Sequence, residues 1–402
     1  MINQRDPEKG TWSERTVDDT DIFYYFQQRG LHFPHEVLTR YALSLYSKPF
    51  VILTGISGTG KTKIAQLFAD YICQKNLSEE EPKERIAFVS VRPDWMDNRG
   101  LLGYYNPLNE HYHATPVLRL LLNAQKAHDQ AHFIILDEMN LAKVEYYFAD
   151  FLSIMESRTN DKPEGEPLQL HELVDGVTTH GDEDLKIPAQ LYIPPNVYFT
   201  GTVNVDETTY MFSPKVLDRA HVIEFNEIDL EGYADGVTRS DKNGKFTLKN
   251  GDVRFLFPGA QAEPFCSKRD YLEVRAKSLD FDPVQDLLKR LERYHLHFGY
   301  RVINELSRFL WVANDHVEKF NPNTVLDLGI LQKVLPKFHG TRARLEKPLQ
   351  DVLKFCYSKE TDTFDCDKAE AFDDEARFPR SAQKCARMLR TLDEQGYTSF
   401  IE

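Results

Sequence analysis

Phe50-Val51-Ile52-Leu53-Thr54-Gly55-Ile56-Ser57-Gly58-Thr59-Gly60-Lys61-Thr62 is the stretch on which the reading of this chain turns. Phe50 to Thr54 is an apolar run of strand length. Gly55 to Thr62 fits G-x-x-x-x-G-K-[ST], and the residues after it put Ile64, Leu67, Phe68, Tyr71 and Ile72 on one helical face. In that order, strand then glycine-rich loop then helix, backbone N–H groups and a helix N-terminus can face a pyrophosphate. The loop residues Gly55, Ser57, Gly58, Thr59 and Gly60 are therefore expected around the phosphates of a nucleoside triphosphate. Lys61 would reach the β- and γ-phosphates, and the Thr62 hydroxyl would hold Mg²⁺.

Outward from this loop, short apolar runs recur at Ile86 to Val91, Phe133 to Asp137, Val197 to Thr202 and Val222 to Phe225. Between them lie amphipathic helical stretches, such as Val144, Tyr147, Phe148, Phe151, Leu152 and Met155 on one face. Alternation of this kind predicts an α/β fold, a five-stranded parallel sheet with helices on both faces, over residues 46–226. The third run ends in Asp137-Glu138, which places Asp137 for the Mg²⁺ shell and Glu138 to polarise an attacking water. By itself the pair would read as a surface turn. The fourth run leads to Asn204, whose amide can donate and accept and so orient that water. Ser213-Pro214-Lys215-Val216-Leu217-Asp218-Arg219 has the cap and first-turn residues of a helix, and Arg219 at its end can point away from its own site.

Residues 1–45 read as a leader packed on this domain. Residues 227–282 read as a connecting insertion without helical periodicity, with a hairpin signal at Asn250-Gly251 inside Phe246 to Phe255. Apolar positions at helical spacing from Leu287 to Leu353 predict an α-helical lid domain over 283–402, with a solvated charged loop from Lys359 to Arg377. The 402 residues carry 49 Lys and Arg against 63 Asp and Glu, a net charge of −14 that disfavours a whole-surface coat for nucleic acid. Apolar runs are strand-sized, so no membrane span is expected, and the polar start of the chain suggests the cytoplasm. The five cysteines, with no Cys-x-x-Cys spacing, argue against a disulfide framework or zinc knuckle. His111-x-His113 and His295-x-His297 lack a third ligand nearby and are not read as a metal site.

The order of phosphate loop, Asp-Glu strand end, strand-end Asn, helix ending in Arg and helical domain resembles the AAA+ ring NTPases, and within them the McrB branch of restriction motors. The resemblance spans about residues 45–400 and rests on Gly55 to Thr62, Phe133 to Asn140 and Pro195 to Phe225. It implies Lys61 and Thr62 as Walker A, Asp137 and Glu138 as Walker B, Asn204 as sensor 1 and Arg219 as an arginine finger for a neighbouring subunit. Sensor 2 would be Arg301, with Arg342 as its rival. Around Asn204 the run Val203-Asn204-Val205-Asp206-Glu207-Thr208 keeps the Asn of the McrB signature M-N-T-A-D-R and lacks its Arg, so ATP and GTP both remain open. The resemblance further implies a hexameric homo-oligomer ring, a McrC-like nuclease partner and DNA reached through the pore or the partner. Arg92 to His113 and Arg158 to Ile193 would be two projecting hairpins, whose aromatic residues either face that pore or pack on the domain. Two other readings stay beside the motor: a nucleotide-gated scaffold with little turnover, and a small-molecule kinase, which Asp137-Glu138 and the helical domain disfavour.

Overall fold

Helices α1 (Ile22–Gln28) and α2 (His35–Ser47) precede the first core strand. The computed structural model describes residues 3–5, 12–14, 21–73, 85–173, 176–179, 182–205, 210–226, 246–251, 253–257, 259, 263–357, 366–371 and 375–401. Asp21 starts α1 by accepting the Phe23 and Tyr24 backbone N–H groups. Tyr41 of α2 is buried, its hydroxyl 2.7 Å from Thr200 Oγ1 in the sheet. After β1 (Phe50–Gly55) and α3 (Lys61–Cys73) come β2 (Ile86–Ser90), β3 (Gly103–Asn106), β4 (His111–Ala114) and α4 (Pro116–Lys126). Then follow β5 (His132–Asp137), α5 (Ala149–Ser157), β6 (Val177–Thr179), β7 (Asp182–Ile187), β8 (Val197–Asn204), the single-turn α6 (Pro214–Leu217) and β9 (His221–Glu224).

Five of these strands form one all-parallel sheet in the order β9-β1-β8-β5-β2. Every residue of β1 is buried, as a central parallel strand covered on both faces requires, whereas the edge strand β2 exposes Phe88 and Ser90. The chain order of the strands is folded back on itself, so β1, β8 and β5 lie side by side. Asn204 pairs with Gly55 and Gly201 with Leu136, which brings the loops after these three strands to one edge.

The two expected hairpins do not project separately. They join in one four-stranded sheet, β7-β6-β4-β3, linked by a parallel pairing of Tyr112 with Thr179. A lone two-stranded hairpin is marginal in water, and the union buries Tyr112, Val177 and Ile187. Trp95 packs edge-on against Tyr147, while Tyr104 stays exposed and stacks on His113.

Among the described residues no hairpin forms at Asn250-Gly251; Asp252 lies outside them. Lys249–Gly251 and Arg254–Leu256 are 3₁₀ turns, and Leu248 makes only an isolated bridge to Val317. The apolar residues there serve the core one by one, Phe257 packing on Phe68, Phe133 and Tyr198, so they are not available to pair with each other. Helical structure also resumes earlier than Pro283, at α7 (Lys268–Ala276), opened by a Ser267/Asp270 capping box. Its periodicity is faint because only Asp270 and Val274 are buried. Next come α8 (Asp282–Glu292), α9 (Tyr300–His316), α10 (Pro322–Gly329) and a five-residue π-helix, Ile330–Val334. The chain ends with β10 (His339–Thr341), α11 (Arg342–Tyr357), α12 (Pro379–Gln395) and β11 (Tyr397–Ser399). Within the stretch read as a charged loop, Cys366–Glu370 is helical and buries Ala369; residues 358–365 and 372–374 lie outside the described residues. Among the described residues no helix is long and apolar enough to cross a membrane.

Candidate active site

The edge where β1, β8 and β5 end carries the phosphate loop. Gly55 has φ 143° and Gly60 φ 90°, a region L side chains avoid; a Cβ at Gly55 would lie 2.4 Å from Phe225 O, and one at Gly60 2.7 Å from the Phe33 ring. Glycine is thus required where strand β9 and the segment before α2 crowd the loop. The crown of the loop, Ile56, Ser57 and Gly58, is exposed, and α3 begins directly behind it with its unpaired N–H groups. Lys61 Nζ donates to Gly55 O at 2.9 Å and Ile56 O at 2.7 Å. Burial pushes its ammonium below the ordinary lysine value, and Asp137 partly offsets that.

Thr62, Asp137, Glu138 and Asn204 come together as the sequence predicts, and two further residues complete the network. Thr62 Oγ1 and Thr202 Oγ1 both donate to Asp137 Oδ1 at 2.7 Å. The Thr202 hydroxyl also accepts the Glu138 backbone N–H at 3.1 Å, fixing a residue whose φ is 52°. Asn204 Nδ2 donates to Glu138 Oε1 at 3.0 Å, and Asn140 Nδ2 braces the Asn204 carbonyl at 3.1 Å. Thr202 was legible in principle, since it sits two residues before Asn204 and shares its face of the strand. Asn140 carries no such signal.

The donor set suits magnesium. A hydroxyl and a carboxylate oxygen converge beside a lysine and a helix N-terminus, hard ligands for an ion that takes most of its remaining coordination from phosphates and water. Among the described residues no group of three or more His, Cys, Asp or Glu could cage a metal, and this kind of site needs none.

Arg219 lies at the opposite edge. Asp218 to Ala220 immediately precede β9, whose first residue His221 pairs with Val51, whereas the loop begins at Gly55. Those four residues of strand already separate the two levels by about 13 Å. Arg219 pairs with Glu156 at the end of α5, is largely covered, and is pushed down by burial and next by the Arg301 guanidinium. Arg301 is not at the phosphate loop: its guanidinium binds Glu156 Oε1 at 2.8 Å and Asp218 Oδ2 at 2.9 Å, so it joins the Arg219 cluster. Arg342 is exposed and pairs with Glu346 and Asp393. Among the described residues the helical-domain cations that reach the loop's edge are Lys384, 2.8 Å from Glu224 at the end of β9, and Arg380, paired with Glu36 near the start of α2. Glu224 pairs with Thr54, one residue before the loop. Pro379-Arg380 at a helix start was the available signal for this position.

Residues 50–220 match the family model described as AAA domain (dynein-related subfamily), and residues 263–397 match a domain of unknown function, DUF8727. Among solved structures, a presumed ATPase from Cytophaga hutchinsonii is similar at 15% identity and a TM-score of 0.41, over 78% of this chain and 88% of that one. No curated protein matches the chain. The five-stranded parallel sheet, the phosphate loop after its first strand and the family match over the same residues together identify residues 50–220 as an AAA+ domain, followed by a helical C-terminal region.

Proposed function

We propose that this protein is a Mg²⁺-dependent nucleoside triphosphate hydrolase, acting on ATP or GTP, whose subunits assemble into a ring with shared active sites. The network Thr62–Asp137–Thr202–Glu138–Asn204 carries the reading, because it joins a metal-binding pair to a carboxylate and an amide that can orient a water. Bound Mg²⁺, held by Thr62 with Asp137 beside it, would neutralise charge on the β- and γ-phosphates. Lys61 would turn from the loop carbonyls to those phosphates. Glu138 would take the proton of the attacking water, with Asn204 setting its direction.

The place of Arg219 supports a shared site. An arginine at the far edge of its own sheet can stabilise transferring phosphate charge only in another subunit. The finer reading is a hexameric motor in a McrBC-like restriction complex in the cytoplasm, with a McrC-like nuclease partner and DNA as the polymer handled. Its support is the motif order set out above, together with exposed Tyr104 and Leu108 on the joined insertion sheet, which offer aromatic and apolar contacts to a strand or partner. The hydrogen bond that holds Glu138 to Asn204 favours the second reading, a nucleotide-gated scaffold in which the carboxylate is kept from water.

Multiple-turnover phosphate release, measured separately with ATP and GTP, decides between them. Hydrolysis that needs Mg²⁺ and falls by about a hundredfold or more in Glu138→Gln, with nucleotide still bound, is the expected result. Nucleotide-driven assembly without turnover would leave the scaffold. Purification of the native complex tests the finer reading, which fails if no nuclease accompanies the protein.

A further inference from the structure

The segment that carries Arg219 is gripped from the helical domain. Lys333 Nζ donates to the carbonyls on both sides of the arginine, Asp218 O at 2.8 Å and Ala220 O at 3.1 Å. The same ammonium lies 2.6 Å from Glu305 Oε2, and Glu305 Oε1 lies 3.1 Å from Lys48, two residues before β1. Lys337 pairs with the Asp218 carboxylate, and Arg301 binds its other oxygen. Four residues from α9, the π-helix and the turn after it thus converge on three residues of the α/β domain.

Lys333 and Glu305 are essentially inaccessible to solvent. A buried ion pair is a poor way to add stability, since apolar side chains of the same bulk often serve as well or better. What it supplies here is direction. An ammonium with two carbonyls and one carboxylate around it fixes where the Asp218-Arg219-Ala220 backbone sits relative to α9. Lys333 stands on a π-helix, a rare element that is frequent at functional sites. Around it, Gln332 Nε2 meets His221 Nδ1 at 3.1 Å, so the next residue of the chain is tied to the same element.

We infer that Lys333, braced by Glu305, is a positioning residue for Arg219, so that the helical domain and the arginine move as one body. Lys384 and Arg380 tie the same helical domain to the phosphate-loop edge. A shift of that domain on nucleotide binding in one subunit is thereby transmitted to the arginine it offers the next. The inference rests on the proposal that Arg219 serves a neighbour's triphosphate.

The test uses the full chain with Lys333→Met, Glu305→Leu and, because Lys48 would otherwise lose its carboxylate partner, Lys48→Met in the same variant, which fills the space with apolar side chains, with thermal unfolding as the check that it stays folded. At concentrations where subunits assemble, kcat should fall about ten- to a hundredfold. KM for the nucleotide should stay within about twofold, because its own phosphate loop is untouched. Added to Arg219→Ala, the triple change should cost nothing further. Mixing the variant with Glu138→Gln subunits, which have an intact arginine to lend, should restore turnover at the variant's own sites. A folded variant with unchanged kcat, a loss that multiplies with that of Arg219→Ala, or a loss that mixing does not relieve would overturn the inference. Wild-type protein that binds nucleotide and assembles without releasing phosphate would instead sink the hydrolase reading on which it rests.

Discussion

The two edges of the central sheet are built in different ways. At the edge where strands end, Asp137, Glu138, Thr202 and Asn204 sit on or directly after parallel strands and Thr62 opens the helix behind the loop, so strand register and one loop-to-helix turn bring them together. At the edge where β9 begins, Arg219 is placed by side chains from α5, α9, the π-helix and the turn beyond it. At the first edge the α/β domain brings the polar network together from its own residues, and the helical domain touches only the rim through Lys384 and Arg380. The second depends on a second domain, and its charges show it: Arg219, Arg301 and Lys337 face Glu156 and Asp218, which leaves a cationic surplus at that surface. Burial alone would raise the Asp218 carboxyl, but Lys337, Lys333 and Arg301 outweigh it and hold it low, so Asp218 stays charged and keeps Arg301 in place.

If the edges act on each other only between subunits, Arg219→Ala gives the largest effect. Turnover should fall by about a thousandfold or more at assembling concentrations while nucleotide affinity holds, as titration calorimetry and phosphate release would record. Unchanged turnover would break the comparison outright. Glu138→Gln belongs to the other edge and should cost about a hundredfold or more in kcat without weakening binding. The Lys333→Met, Glu305→Leu and Lys48→Met variant comes next, with its ten- to hundredfold loss. Thr202→Val sharpens the description of the phosphate-loop edge: it strips Asp137 of one donor and leaves the Glu138 N–H without its acceptor, so kcat should drop about tenfold and stability should fall by about 1–3 kcal/mol.

The smallest effect concerns acid. Burial raises the Glu305 carboxyl, yet Lys333 and Lys48 outweigh it and bring it down to about 2, against 4.5 in the unfolded chain. Its contribution to stability is therefore complete above the unfolded value and is lost as pH falls from about 4.5 toward 2. Denaturant midpoints measured across that window should decline more steeply for the wild type than for the Lys333→Met, Glu305→Leu and Lys48→Met variant. Parallel declines would mean that the buried pair does not sense its protons through the folded state.

Much of the phosphate-loop edge was legible because its residues are punctuation: glycines that permit a sharp loop, acids and an amide at the ends of apolar runs, a lysine and threonine at a helix start. The polar brace Asn140 was not, since nothing local distinguishes it from any turn residue. The Asn250-Gly251 signal misled for the opposite reason, because a turn dipeptide predicts a hairpin only when its flanks are free to pair, and here Phe246, Leu248, Val253 and Leu256 are individually buried. Arg301 was expected at a phosphate and stands beside Asp218, as its number in the chain says nothing about which end of the sheet its helix begins on.

By itself the sequence determined the parallel α/β core, the phosphate loop and the identity of the groups at its rim, since strand period, glycine freedom and loop spacing are local properties of the chain. Tertiary structure alone decided that two insertions share one sheet, that Lys384 and Arg380 rather than Arg301 meet the nucleotide edge, and that Lys333 holds the backbone around Arg219. Those outcomes depend on which distant segments come to share a buried volume, and burial is settled only when the whole chain has packed.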